Sequence, residues 1–334
     1  MFFKDFKTFE TEVAGRKLVI ETGKMAQLAN GSCIVRYGDT EVLCTATMAP
    51  KPREGVDFFP LSVDFEEKLY SVGRIPGSFQ RREGKASEKA VLTSRVIDRP
   101  IRPLFPKDMR NDVSVVATVM SVDPDCSPEI AALWGVSTAI AISDIPWDGP
   151  VSSVSLGLVD GKYVINPTLE ERAKTEMTVT VASTDSLVAM IEAGANEISN
   201  EVMFDGIMFA HEENKKIVEF IKSIVAEIGK EKIAFESNDP SEELYEAIKA
   251  FAIEDVKVAL DTDDKRIRDE RLAPIYDAVH AEFDEKFPEE AAKIDDCLYK
   301  LQKFIVRRWL LDEGKRVDGR GIDEIRPLNA EIDL

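Results

Sequence analysis

The 334-residue chain carries 43 lysines and arginines against 62 aspartates and glutamates, a formal net charge of −19, with 44% hydrophobic residues. That length predicts two or three domains, and that apolar share suffices for a core in each, which excludes wholesale disorder. No apolar run reaches the ~18 residues of a membrane span, and on net charge alone nucleic acid is a poor partner, because like charges repel.

The opening Met1-Phe2-Phe3-Lys4-Asp5 turns charged at once and lacks a signal peptide's apolar core. Cys33, Cys44, Cys126 and Cys297 show no metal-ligand spacing and there are only two histidines, so a zinc site is not expected. Reduced thiols in a cytoplasmic protein are the simplest reading.

Residues 10–70 read as strands. Arg16–Gly23 is one, and Cys33–Tyr37 and Glu41–Thr47 flank Gly38-Asp39-Thr40, a hairpin signal that sets Cys33 opposite Cys44 as small buried hydrophobes. A helix is predicted over Ser87–Ile97 with Ser87 as N-cap, ended by Pro100 and Pro103, so that Asp98-Arg99-Pro100-Ile101-Arg102-Pro103 leaves in an extended exit. Val113–Val122 alternates as a strand, and Pro128–Ser143 has helical apolar density, with Gly135 allowing close packing. Strands are expected at Val151–Leu158, Tyr163–Ile165, Thr178–Ala182 and Leu187–Ile191, and an amphipathic helix over Asn214–Ile228. After Asn238-Asp239-Pro240 the texture changes. From Ser241 to Leu310 there is no glycine, helical patterns dominate, and 18 acidic residues face 12 basic ones. Ser241 opens this stretch with a capping signature. Arg307-Arg308-Trp309 reads either as an RNA contact or as a helix-end charge pair with a packed tryptophan.

Summed charge hides distribution. Between Ser71 and Arg110 seven arginines and three lysines meet only four acids, a net of +6, which leaves −25 on the other 294 residues. Arginine supplies a planar fork that matches phosphate oxygens and stacks on bases. Phe79 sits beside Arg81 and Arg82 in a loop between Gly77 and Gly84, the pairing of stacking and charge that single-stranded nucleic acid requires. Arg95, Arg99 and Arg102 follow at spacings of four and three, one helical face for as long as helical geometry lasts. The alternatives are a solvated charged stretch, a protein-protein interface, and an Asp98 that pairs with one of these arginines, Arg99 as readily as not. No P-loop, no Gly-x-Gly-x-x-Gly and no His-Glu-x-x-His occurs. The acidic runs at Asp261–Asp264 and Asp295-Asp296 read as solvated loop and helix ends, and neither His211 nor His280 has a nucleophile beside it.

Two stretches make a family resemblance specific: Val72-Gly73-Arg74-Ile75-Pro76-Gly77-Ser78-Phe79-Gln80-Arg81-Arg82-Glu83-Gly84, and Ser94-Arg95-Val96-Ile97-Asp98-Arg99-Pro100-Ile101-Arg102-Pro103-Leu104-Phe105-Pro106. They resemble the bacterial polynucleotide phosphorylase family, and the likeness continues through Gly38-Asp39-Thr40, Asp144-Ile145-Pro146, Asn166-Pro167-Thr168 and the helical segment. The resemblance implies an α/β (α+β) fold: a ribonuclease PH-like (ribosomal protein S5 domain 2-like) domain over 1–235, with a core at 10–147 and a second half at 148–235. An all-helical domain over 236–314 and the truncated start of a second ribonuclease PH-like domain over 315–334 would follow.

The activity implied is 3′-to-5′ degradation of single-stranded RNA by phosphorolysis, reversible as polymerisation, in a homotrimeric ring with Mg2+ and with phosphate as co-substrate. The family's phosphate-binding serine run and metal aspartates belong to the second such domain. In the first, Asp125-Cys126-Ser127-Pro128-Glu129 stands in place of the serine run, and Thr178 in place of an aspartate before its strand. No catalytic residue, bound cofactor or metal is therefore expected of this chain. What carries over is the RNA path: Phe79, Arg81 and Arg82 at the channel constriction, with Gln80 where many members have a second aromatic, and Arg95, Arg99 and Arg102 nearby. The alternative is a non-catalytic RNA-binding ring subunit or scaffold.

Overall fold

The computed structural model describes residues 3–52, 55–56 and 58–332. Alternating burial along the early strands shows why they form a sheet: β2 (Arg16–Thr22) and β4 (Thr40–Pro52) as far as Ala46 bury every second side chain, and β3 (Gly31–Tyr37) does so while also burying Ile34. With β1 (Lys7–Val13), β5 (Leu61–Glu67) and β6 (Asn111–Ser121) they build a six-stranded sheet of order β1-β2-β3-β4-β6-β5. All its pairs are antiparallel except β5 with β6. The β3–β4 register sets Cys33 directly opposite Cys44. A parallel pair needs a crossover, and here it consists of a 3-10 turn (Leu69–Val72), an irregular loop and helix α1 (Glu88–Ile101). The basic segment is this crossover.

Helix α2 (Pro128–Ile142) is buried on every side from Ile130 onward. Gly135 lets it approach the sheet: a Cβ there would lie 2.5 Å from the Cys44 Sγ and 2.8 Å from the Val35 Cγ2. Trp134 reaches the second sheet, its indole N–H donating to the Ser153 carbonyl at 2.8 Å. That sheet is antiparallel, ordered β10-β9-β7-β8 from β7 (Ser152–Val159), β8 (Lys162–Ile165), β9 (Met177–Ser183) and β10 (Val188–Ala195). A short helix, α3 (Leu169–Lys174), separates β8 from β9 with a capping box at Thr168 and Glu171. Helix α4 (Asn200–Ile228) packs on β7, β9 and α2.

Two helix boundaries differ from the sequence reading. The fourth helix starts fourteen residues earlier than Asn214, capped by the Ser199 hydroxyl. Phe204, Met208 and Phe209 face outward in its first turns, so apolar residues lie on both faces and blur the 3.6-residue period. Helix α1 does not end before Pro100 but continues to Ile101 and into a 3-10 turn, Arg102–Leu104. The expected extended exit is thus helical. Pro100 and Ile101 are both buried, and the Trp147 indole N–H donates to the Ile101 carbonyl at 3.0 Å. Burying a large aliphatic side chain contributes roughly 1.5–3 kcal/mol, which offsets most of the ~3 kcal/mol cost of a helical proline.

Contacts divide the chain into two units, Met1–Ser237 and Asn238–Leu334. The second contains α5 (Glu242–Leu260), α6 (Lys265–Phe283) and α7 (Ile294–Arg308), followed by a π turn at Trp309–Glu313. Ser241 and Asp264 cap α5 and α6 through their side chains. Leu244, Ile248, Val256, Leu298, Leu301 and Ile305 lie in the shared core. Asp261–Asp264 is the α5–α6 connection. Arg308 pairs with Asp312, and Trp309 is buried, which gives two of the three residues in Arg307-Arg308-Trp309 the structural role.

Candidate nucleic-acid interface

The Ser87 hydroxyl caps α1 by accepting the Ala90 N–H at 3.0 Å, and donates to Glu67 of β5 at 2.9 Å. Ala90, Thr93, Ile97, Pro100 and Ile101 face inward. Arg95, Arg99 and Arg102 all face outward and are exposed. Because helical geometry persists past Pro100, the four- and three-residue spacings do put them in one row. Arg95 has no carboxylate partner among the described residues. Asp98 chelates Arg102 and not Arg99, accepting from Nε at 2.9 Å and Nη2 at 2.8 Å, while Nη2 also donates to the Leu61 carbonyl at 3.1 Å. Arg99 instead meets Glu192 of β10 at 3.1 Å. The reason is directional: i to i+4 pairs face each other on a helix and adjacent residues do not. Glu192 lies 93 positions further along the chain, and no local spacing announces it.

The loop before α1 holds the other three expected residues. Phe79 is fully exposed, and among the described residues no ring packs against it. Arg81 has a left-handed φ of 52°, and its guanidinium donates to the Pro76 carbonyl at 3.2 Å. Arg82 is exposed and has no carboxylate partner among the described residues. Glu83 accepts the Leu69 N–H at 3.0 Å and so ties the loop's far arm to the 3-10 turn. The structure thus places the six residues on one crossover in two sets, the helical row and the loop.

Behind the row a cavity of about 760 Å³ opens between α1, the start of α2 and strands β7 and β9. Sequence reasoning did not find it, since its walls come from segments far apart in the chain. Asp125 and Ser127 line it; Thr178, the second residue of β9, is exposed. At the first turn of α2, where backbone N–H groups and the helix dipole favour an anion, the protein's own Glu129 accepts from Lys89 at 2.7 Å and from the Ser127 hydroxyl. Burial pushes the Glu129 carboxyl up, but the bonds from Lys89 and Ser127 outweigh it and hold the group below its ordinary range. Glu129 is therefore ionised at neutral pH and repels an incoming phosphate. Among the described residues no three His, Cys, Asp or Glu side chains gather as a metal site. Glu129 thus disfavours phosphate at this helix terminus, while Lys68, Lys89 and Arg172 also line the cavity.

Similarity to known proteins agrees with this architecture. Residues 14–146 match the 3′ exoribonuclease family, domain 1, residues 149–213 match domain 2 of that family, and residues 243–321 match the polyribonucleotide nucleotidyltransferase RNA binding domain. The polyribonucleotide nucleotidyltransferase of Ruminiclostridium cellulolyticum is 57% identical over 329 residues, covering 98% of this chain and 47% of that protein. That of Clostridioides difficile is 51% identical over 333 residues, covering 99% and 47%. Rice Rrp46, at 15% identity, superposes with a TM-score of 0.50 over 67% of this chain and 95% of its own, a likeness of fold. The chain spans about half the length of the curated relatives it matches. With all three family segments in order along its length, the chain belongs to the polyribonucleotide nucleotidyltransferase family.

Proposed function

We propose that this chain supplies the RNA path and scaffold of a phosphorolytic 3′-to-5′ exoribonuclease, which cleaves single-stranded RNA with phosphate, releases nucleoside diphosphates and runs in reverse as a polymerase. The observation that carries this reading is the outward row of Arg95, Arg99 and Arg102, continuous in sequence with the exposed Phe79, Arg81 and Arg82, all within a +6 segment of an acidic chain. Phe79 offers a stacking face for bases, and the guanidinium groups offer paired donors to phosphate oxygens.

In this reading residues 1–235 form the first ribonuclease PH-like domain, 236–314 the helical domain and 315–334 the opening of a second. Phosphate and Mg2+ are handled in that second domain. A homotrimer would gather three basic segments into one positive channel and focus its field, while the acidic exterior turns RNA away elsewhere. The four buried free cysteines accord with a cytoplasmic setting. Glu129 at the head of α2 also favours a second reading, a non-catalytic RNA-binding ring subunit or scaffold.

Two measurements test the proposal. Incubated with RNA, phosphate and magnesium, the 334-residue chain should release no nucleoside diphosphate; robust release would refute the division of labour. The Arg81→Ala/Arg82→Ala chain should bind single-stranded RNA more weakly and with a flatter salt dependence, the slope falling by about 0.7 for each phosphate no longer engaged. Unchanged binding would point to a protein-protein role for the loop. A second ribonuclease PH-like domain downstream in the parent reading frame distinguishes the enzyme from the scaffold.

A further inference from the structure

The helical unit carries its own basic-aromatic face. On α7, Tyr299, Lys303 and Arg307 follow one another at four-residue spacing and form a single outward row, with Lys300 and Phe304 in the adjoining row. Tyr299 is 55% exposed and Phe304 40% exposed, high for rings in a helical unit with a well-filled core. The Lys303 ammonium lies 4.0 Å from the Tyr299 ring centroid. From α5, Lys249 lies 5.3 Å from the Phe304 ring and 5.7 Å from that of Tyr245, which brings the two helices into one patch. Lys249 and Lys300 are already paired, with Glu246 and Asp239. Lys303 and Arg307 have no carboxylate partner among the described residues. The acids Asp295 and Asp296, in the first turn of α7, mark the face's other end.

Half-exposed aromatic rings with ammonium groups over them, beside an unpaired guanidinium, are complementary to a polyanion that carries stacking bases. They match neither an apolar partner helix nor a basic peptide. We propose that Tyr299, Lys303, Phe304 and Arg307 form a second single-stranded RNA contact, separate from the crossover between β5 and β6: the rings receive bases, and Lys303 and Arg307 receive the phosphates on either side. This rests on RNA being the chain's ligand, and adds where the helical unit holds it and by what chemistry.

The test is fluorescence anisotropy of a labelled oligoadenylate with the whole 334-residue chain at about 50 and 200 mM salt. Tyr299→Ala should weaken binding at least about fivefold, the loss expected for one stacked base, and Tyr299→Phe should restore it. Lys303→Gln/Arg307→Gln should lower the salt slope by about 1.4, two single-strand phosphate contacts. Thermal melts confirm that these exposed positions leave the fold intact. The Arg81→Ala/Arg82→Ala chain runs in parallel. Wild-type binding by the α7 variants together with weakened binding by the loop variant overturns this inference and leaves the proposed function standing. The reverse pattern supports the α7 contact and removes the loop from the RNA path. Equal loss from Tyr299→Phe and Tyr299→Ala would overturn the stacking role.

Discussion

Glu192→Gln isolates how the protein restrains Arg99, one of the arginines proposed to contact RNA. Arg99 and Glu192 are each 51% exposed and meet at 3.1 Å, so water screens the pair strongly. Such pairs contribute about 0.2–1 kcal/mol to stability. RNA that recruits Arg99 must first displace Glu192 and lose that same amount. Amidation removes the competing charge at nearly constant shape, so single-stranded RNA should bind about 1.4- to 5-fold tighter, since 1.4 kcal/mol corresponds to tenfold. Because salt screens the competing Arg99–Glu192 pair, the gain should shrink as salt rises. Unfolding stability should fall by no more than about 1 kcal/mol. Anisotropy titrations with urea melts read all three quantities, and the decisive control is Glu192→Gln in an Arg99→Ala background, where the affinity gain should vanish. A gain that survives there would show that removing any acidic charge helps, and that Arg99 is not the group released.

Three further outcomes follow from the packing and the titratable groups. Gly135→Ala places a methyl against Cys44 and Val35, both fully buried, and should destabilise the first unit by about 1–3 kcal/mol in urea titration despite alanine's better helix propensity. His280 on α6 is bonded to Asp284 at 2.9 Å and to Asp295 of α7 at 3.1 Å, and these carboxylates raise its pKa above the ordinary value of 6.5. A group raised on folding stabilises most below its unfolded pKa, and that contribution is lost as pH rises through the folded one. The melting temperature of the helical unit should therefore fall across that window above pH 6.5, and His280→Gln should flatten the dependence. The buried thiols should be inert in the native chain, because burial pushes Cys33 up to about 12 and Cys126 and Cys297 up to about 11, and pushes Cys44 up as well. Four thiols should react with a disulfide reagent only after denaturation.

Strand alternation, the change of texture near Asn238 and the +6 island inside an acidic chain were all legible in sequence, because each is a local pattern of residue types. The candidate site was legible in part: the six residues stand out by type and spacing, yet their restraints do not. Asp98 looked equally able to take Arg99, and only the helix's persistence past Pro100 turned it to Arg102. The sequence by itself determined which segments alternate, which are helical and where cations concentrate, since those depend on neighbours within a few residues. Tertiary structure alone decided that Pro100 stays helical, because the burial of Ile101 and the Trp147 bond come from distant segments. It alone set Glu192 against Arg99 and Glu129 at the head of α2, and brought Lys249 of α5 over Phe304 of α7. Electrostatic and stacking partners are chosen by proximity in space, and local patterns carry no record of the long-range contacts that create it.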